Sequence, residues 1–262
     1  MTSAPLIELH RVSKSFDGGR GFAVNDLSLT INRGSLIALV GASGSGKTTT
    51  CKFINRLIDP DAGEVRIDQR TVASIPPAEL RRGIGYVFQG IGLFPHMRVG
   101  ENIGITPQLL GWPRADIEAR TAELLDLVGL PETYASRFPD ALSGGERQRV
   151  GVARALAARP RIVLMDEPFG ALDPLTRDGL GSAYRDLHDR LGLTTVMVTH
   201  DVQEAVLLAD RIVVLKAGQI IADGTPSALM RGHPNPEVAA MMSMPARQAA
   251  RVQQIIDGLA NG

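Results

Sequence analysis

Leu36-Ile37-Ala38-Leu39-Val40-Gly41-Ala42-Ser43-Gly44-Ser45-Gly46-Lys47-Thr48-Thr49 passes from an uninterrupted apolar stretch through a glycine-rich turn into a helical pattern. Five apolar residues in a row have the length of a strand buried on both faces, as in a parallel sheet. Gly41 to Thr48 then match the spacing G-x-x-x-x-G-K-[ST], after a strand and at the start of a helix. Gly41, Ser43, Gly44, Ser45 and Gly46 let the backbone wrap around phosphate oxygens. Their N–H groups and the positive end of the helix face the anion. Lys47 places a point charge on the β- and γ-phosphates, the Thr48 hydroxyl suits Mg²⁺, and Thr49 reaches the α-phosphate. The strand and helix context sets aside a chance Gly/Ser turn. On its own the loop says only nucleotide phosphate, which many unrelated enzymes bind this way.

Outward from this loop, short β-type runs alternate with helical patterns. Leu6 to His10, Val24 to Ile31, Gly63 to Asp68 and Ile84 to Phe88 read as strands, with a turn at Asn32-Arg33-Gly34. Lys47 to Ile58 reads as a helix stopped by Asp59-Pro60. From about Gly100 to Ala158 the strand signal vanishes, which predicts a helical subdomain inserted into an α/β core. Strands return at Arg161 to Met165, Thr195 to Thr199, Arg211 to Leu215 and Gln219 to Ala222. After Pro226 the pattern is helical or irregular to Gly262.

The bulk numbers set limits. The 262 residues suffice for one large domain, and Lys+Arg and Asp+Glu balance at 28 each. That balance gives no sign of a nucleic-acid binder carried by overall charge. The single cysteine, Cys51, predicts a reducing, cytoplasmic setting. No run approaches the ~18 apolar residues of a membrane span, and Met1 to His10 shows no secretion signal. Work at a membrane would need partners.

Ile162-Val163-Leu164-Met165-Asp166-Glu167 is an apolar strand ending in two acids. Strand geometry sends their side chains to opposite sides. Asp166 is assigned to the metal and Glu167 to general base, polarising the attacking water.

Leu142-Ser143-Gly144-Gly145-Glu146-Arg147-Gln148 has the S-x-x-E spacing of a capped helix start. It also resembles the signature motif of ABC ATPases. In that family Ser143, Gly144, Gly145 and the helix dipole would bind the γ-phosphate of ATP held by a second subunit, so the resemblance implies a homodimer. Further motifs follow in family order. Gln89 resembles the Q-loop glutamine that contacts Mg²⁺, and Ala171-Leu172-Asp173 resembles the D-loop at the dimer interface. His200 resembles the switch histidine that contacts the γ-phosphate. Phe16 takes the aromatic position that stacks on adenine, with Val24 beside it. The resemblance covers residues 6 to 225. It implies an α/β P-loop NTPase (RecA-like) core, an antiparallel β subdomain, and ATP and Mg²⁺ as ligands.

Ile91-Gly92-Leu93-Phe94-Pro95-His96, with Asn55-Arg56-Leu57 and Pro107-Gln108-Leu109, is similar to importer ATPases of the osmoprotectant group. That likeness implies a membrane permease, a substrate-binding protein, a quaternary amine such as glycine betaine or choline, and a peripheral place on the cytoplasmic face of the bacterial inner membrane. Another small-solute importer and a soluble non-transport ABC ATPase are the rival readings. The chain departs from the family in Phe16 for tyrosine, Arg98 for threonine and Glu146 for glutamine. Its tail after Thr225 is too short for the paired CBS domains some members carry. His10, His96, His188 and His233 have no motif context and read as structural.

Overall fold

The computed structural model describes residues 5–90 and 92–260; Ile91 and the chain ends 1–4 and 261–262, which the sequence reading includes, lie outside the described residues. In chain order the elements are β1 (Pro5–Lys14), β2 (Val24–Asn32), β3 (Leu36–Val40), α1 (Lys47–Ile54), β4 (Ala62–Ile67), β5 (Arg70–Thr71), α2 (Pro77–Arg82), β6 (Ile84–Val87), α3 (Val99–Leu109), α4 (Arg114–Leu127), α5 (Gly144–Leu156), β7 (Ile162–Asp166), α6 (Pro174–Leu191), β8 (Thr194–Val198), α7 (Val202–Leu208), β9 (Arg211–Lys216), β10 (Gln219–Gly224), α8 (Pro226–Met230), α9 (Pro236–Met242) and α10 (Met244–Ala260).

The strands form two sheets. Six run in the order β10-β9-β3-β8-β7-β6, and four in the order β2-β1-β4-β5. In the larger sheet β9, β3, β8, β7 and β6 are parallel, and β10 returns antiparallel beside β9. The smaller sheet is antiparallel throughout. Strands β3, β7 and β8 are buried at every position, which is why they read as continuous apolar runs.

Period-two geometry divides one strand between two cores. Leu36, Ala38 and Val40 join the core under α3, α4, α5 and α6. Ile37 and Leu39 face the other way, into a core shared with α1 and the antiparallel sheet. Residues 99–156 carry α3, α4 and α5 and no strand. Beyond β10 come the helices α8, α9 and α10. Among the described residues no helix is long and apolar enough to cross a membrane.

Two boundaries depart from the sequence reading. Helix α1 ends at Ile54, not Ile58. Arg56 turns left-handed at φ 54°, and the N–H groups of Leu57 and Ile58 both return to the carbonyl of Lys52. The Asn55 Oδ1 takes the Leu57 N–H as well (3.2 Å), so a local cap stops the helix before Asp59-Pro60 can. Strand β1 is longer than Leu6 to His10. It bulges at Arg11 (φ 48°), where pairing with both neighbours shifts register. The bulge breaks the alternation that marks a strand in sequence.

Candidate nucleotide site

Four parallel strands deliver the candidate residues at their carboxyl ends. β3 runs into the glycine loop, β7 into Asp166 and Glu167, β8 into Thr199 and His200, and β6 towards Gln89. In an open α/β sheet this edge is where ligands bind.

The glycine loop has sharp steric demands. Gly41 sits at φ 153°, and a Cβ there would lie 2.2 Å from the Leu215 carbonyl oxygen. Gly46 sits at φ 102°, with the Ala23 carbonyl oxygen 2.4 Å from the same imagined atom. Only glycine fits either place. Gly46 is also the N-cap of α1. It supplies no capping side chain, and no acid stands in the first turn. The unsatisfied N–H groups of that turn are left for an external anion.

Lys47 is 7% exposed. Its Nζ donates to the carbonyl oxygens of Gly41 (2.8 Å) and Ala42 (2.8 Å) and to Ser45 Oγ (3.4 Å). Burial pulls its pKa below the usual lysine value, while Glu167 and Asp166 oppose that shift. The Thr48 hydroxyl donates to Asp166 Oδ1 (3.0 Å). Asp166 is buried, and burial lifts its carboxyl above the usual carboxylate range against the pull of the Thr48 hydrogen bond. Thr48 and Asp166 are hard oxygen donors placed together. With phosphate oxygens they suit Mg²⁺, which keeps several waters and needs few protein ligands.

Glu167 adopts a left-handed backbone, φ 51°, uncommon for a residue with a side chain. Its N–H donates to the Val198 carbonyl (2.9 Å), which ties it to β8. The twist aims the carboxylate at the next loop: Glu167 Oε1 lies 3.3 Å from His200 Nδ1. A cleft of 420 Å³ is lined by Ala23, residues 43–49, Gln89, Glu167 and His200. An acceptor for a water proton thus faces a phosphate cradle, with an imidazole beside it.

Ser143, Gly144, Gly145 and Asp173 do not line that cleft. Ser143 caps α5: its Oγ accepts from the Glu146 N–H (3.2 Å), and Glu146 Oε2 accepts from the Ser143 N–H (2.7 Å). A Cβ on Gly144 would meet nothing, whereas one on Gly145 would lie 3.3 Å from the Leu172 side chain. Asp173 caps α6 through the Thr176 N–H (3.0 Å). One chain therefore carries a phosphate cradle and, apart from it, an outward-facing helix start.

The adenine side needs one correction. Phe16 is 64% exposed, free to offer a ring face, with Lys14 Nζ 5.8 Å over its centroid. Val24 is fully buried and cannot stand beside it against a base. Its Cγ2 instead packs 3.4 Å from a Cβ imagined on Gly46, beneath the loop. Sequence reasoning missed Ala23, whose carbonyl enforces Gly46. It belongs to no motif, so no signal marked it.

The family assignment rests on comparison as well as geometry. The family model described as ABC transporter matches residues 24–170. This chain belongs to the ABC transporter ATP-binding family. It is 53% identical over 226 residues to the choline transport ATP-binding protein OpuBA of Bacillus subtilis (strain 168), covering 86% of this chain and 59% of that one. It is 50% identical over 225 residues to the glycine betaine uptake system ATP-binding protein YehX of Escherichia coli (strain K12), covering 86% and 72%. The solved dimeric structure of MJ0796, a bacterial ABC transporter cassette, superimposes with a TM-score of 0.78 at 34% identity over 84% of this chain and 98% of that one. The chain thus spans about three-fifths of the length of the choline relative.

Proposed function

We propose that this ABC cassette hydrolyses ATP as a homodimer and so drives import of a quaternary amine, such as glycine betaine or choline, through a separate membrane permease fed by a substrate-binding protein. The observation that carries the reading is the Glu167–His200 pair, 3.3 Å apart and facing the phosphate cradle. The names of the choline and glycine betaine relatives support the solute class. The protein would sit on the cytoplasmic face of a bacterial inner membrane.

In this reading Phe16 stacks on adenine and the loop of Gly41 to Thr49 holds the triphosphate. Lys47 exchanges its loop carbonyls for phosphate oxygens. Glu167 Oε1 polarises the attacking water, and His200 holds that water in line with the γ-phosphate. The helix start at Ser143, Gly144 and Gly145 closes over the nucleotide of a second copy, with Asp173 at the interface. Thr48, Asp166 and Gln89 would hold Mg²⁺, which supplies neutralising charge on the phosphates. The protein's share is positioning and charge stabilisation. A groove of 460 Å³ that includes Tyr86, Phe88, Phe94, Leu109 and Arg154 lies beside the segment after Gln89 and would receive a permease helix.

Glu167→Gln tests the core of this. It keeps the shape and removes the base, so ATP turnover should fall by about a hundredfold or more while ATP affinity stays within a few-fold. Near-normal turnover in that variant would refute the base assignment. Uptake of radiolabelled choline and glycine betaine by cells carrying the complete system tests the solute; uptake that survives deletion of this chain defeats the transport reading.

A further inference from the structure

We propose that Arg177 is a positioning residue for hydrolysis: one guanidinium that locks the loop carrying Asp173 to the loop carrying His200. The inference rests on the role given to His200 above.

The geometry is a two-armed bridge. Arg177 stands in the first turns of α6. One arm, Nη1, reaches Asp201 Oδ2 at 3.2 Å, and the other, Nη2, donates to the Leu172 carbonyl at 3.2 Å. Leu172 belongs to the loop after Glu167, and Asp201 directly follows His200. Asp201 is itself fixed from other directions. Its Oδ1 accepts the Gln203 (2.9 Å) and Glu204 (3.2 Å) N–H groups at the start of α7, and its own N–H donates to Thr199 Oγ1 (3.0 Å).

His200 needs such help. Its side chain is 67% exposed, and its contact with Glu167 is a single 3.3 Å approach. Where the imidazole points is therefore set by the backbone on either side, Thr199 and Asp201. Leu172 meanwhile packs against the α5 start, 3.3 Å from a Cβ imagined on Gly145. Movement of that helix start thus reaches Leu172, passes through Arg177 to Asp201, and arrives at His200. The planar fork of arginine fits this two-partner duty, and lysine, a single point charge, does not.

The test compares ATP turnover of the purified full chain with Arg177→Met, Arg177→Lys, Asp201→Asn, the double variant Arg177→Met/Asp201→Asn, and His200→Ala as reference. Asp201→Asn keeps an oxygen to cap α7 and removes only the charge facing Arg177, so it serves if Arg177→Met fails to fold. Loss of one charge-assisted link should lower kcat on the order of tenfold, with KM for ATP within about twofold. Arg177→Lys should recover part of the loss. The double variant should fall no further than the worse single variant, because both cut the same bridge. If His200→Ala loses turnover while Arg177→Met and Asp201→Asn keep kcat within about threefold of the parent, the bridge is ornamental and the proposal is lost. A double variant whose losses multiply also overturns it. If His200→Ala itself turns over normally, the assignment of His200 fails, and this inference with it.

Discussion

Glu204 is a buried acid in the first turn of α7, four residues after His200 and outside the catalytic chemistry. Burial pushes its carboxyl up to about 7, and Asp201 adds to the rise; the Thr199 hydroxyl, Arg177 and His200 pull the other way. In the unfolded chain a glutamate titrates near ~4.3. Between those values the folded protein holds a proton that the unfolded chain has released, so stability falls as pH rises through that window. The penalty is absent below the lower value and complete above the upper one. At its ceiling it amounts to roughly 3–4 kcal/mol. Glu204→Gln keeps the shape and a hydrogen-bonding oxygen for Thr199, and removes the titration. Its melting temperature should match the parent at pH ~4, just below that window, and exceed it at pH ~8, by several degrees for a chain of this size. Thermal melts at both pH values check this, and a variant that loses as much stability on going to pH ~8 as the parent would show that Glu204 is not the source. Cys51, by contrast, is fully buried, and burial pushes its thiol pKa up, which leaves it a packing residue.

At the scale of elements, the start of α5 serves two ends. Ser143 and Glu146 exchange hydrogen bonds, and Glu146 Oε1 also accepts from the Tyr134 hydroxyl (2.9 Å). These bonds hold the Glu146 carboxyl below the usual glutamate range. Glutamine in its place can still accept from the Ser143 N–H through its oxygen and can donate from its amide NH2 to the Tyr134 hydroxyl oxygen, so Glu146→Gln should alter stability by less than ~0.5 kcal/mol. Glu146→Ala removes the side-chain half of the capping box and the Tyr134 hydrogen bond, while Ser143 still caps the helix, and should cost about 1 kcal/mol, read as a lower denaturation midpoint in urea. The sequence shows this element plainly because capping is local, over four residues. The same holds for β3, β7 and β8, whose burial on both faces writes itself as apolar runs. The end of α1 was less legible, since Arg56 turns left-handed with no glycine to announce it. Least legible were links between loops. Arg177 and Asp201 stand 24 residues apart and meet only because β7 and β8 are paired in register. Val24 reads as a plausible neighbour of adenine until the packing of β2 beneath Gly46 puts it inside.

At the scale of the whole molecule, the cleft is half of a site in the proposed reading. Glu167, His200 and Lys47 face it, but the helix start at Ser143 faces elsewhere and Gly144 has open space above it. The dipole of α5 favours an anion at its start even though Ser143 and Glu146 satisfy part of the first turn, and none of the described residues lining the cleft comes from that start. Leu175, next to the Asp173 loop, is 84% exposed, an unusual place for a leucine unless another surface covers it. The formal charge of zero leaves no long-range repulsion between two copies. ATP and a partner should therefore complete each other: nucleotide bound in one cradle supplies the γ-phosphate that the partner's helix start lacks. In Glu167→Gln, where bound ATP persists, ATP and Mg²⁺ should double the apparent mass in light scattering, and ADP should not. Adding Ser143→Arg puts a bulky side chain at the helix start without touching the cradle. That double variant should still bind ATP with near-parental affinity and remain monomeric. A dimer that forms equally well with Ser143→Arg, or without nucleotide, would mean that the two copies meet through some other surface.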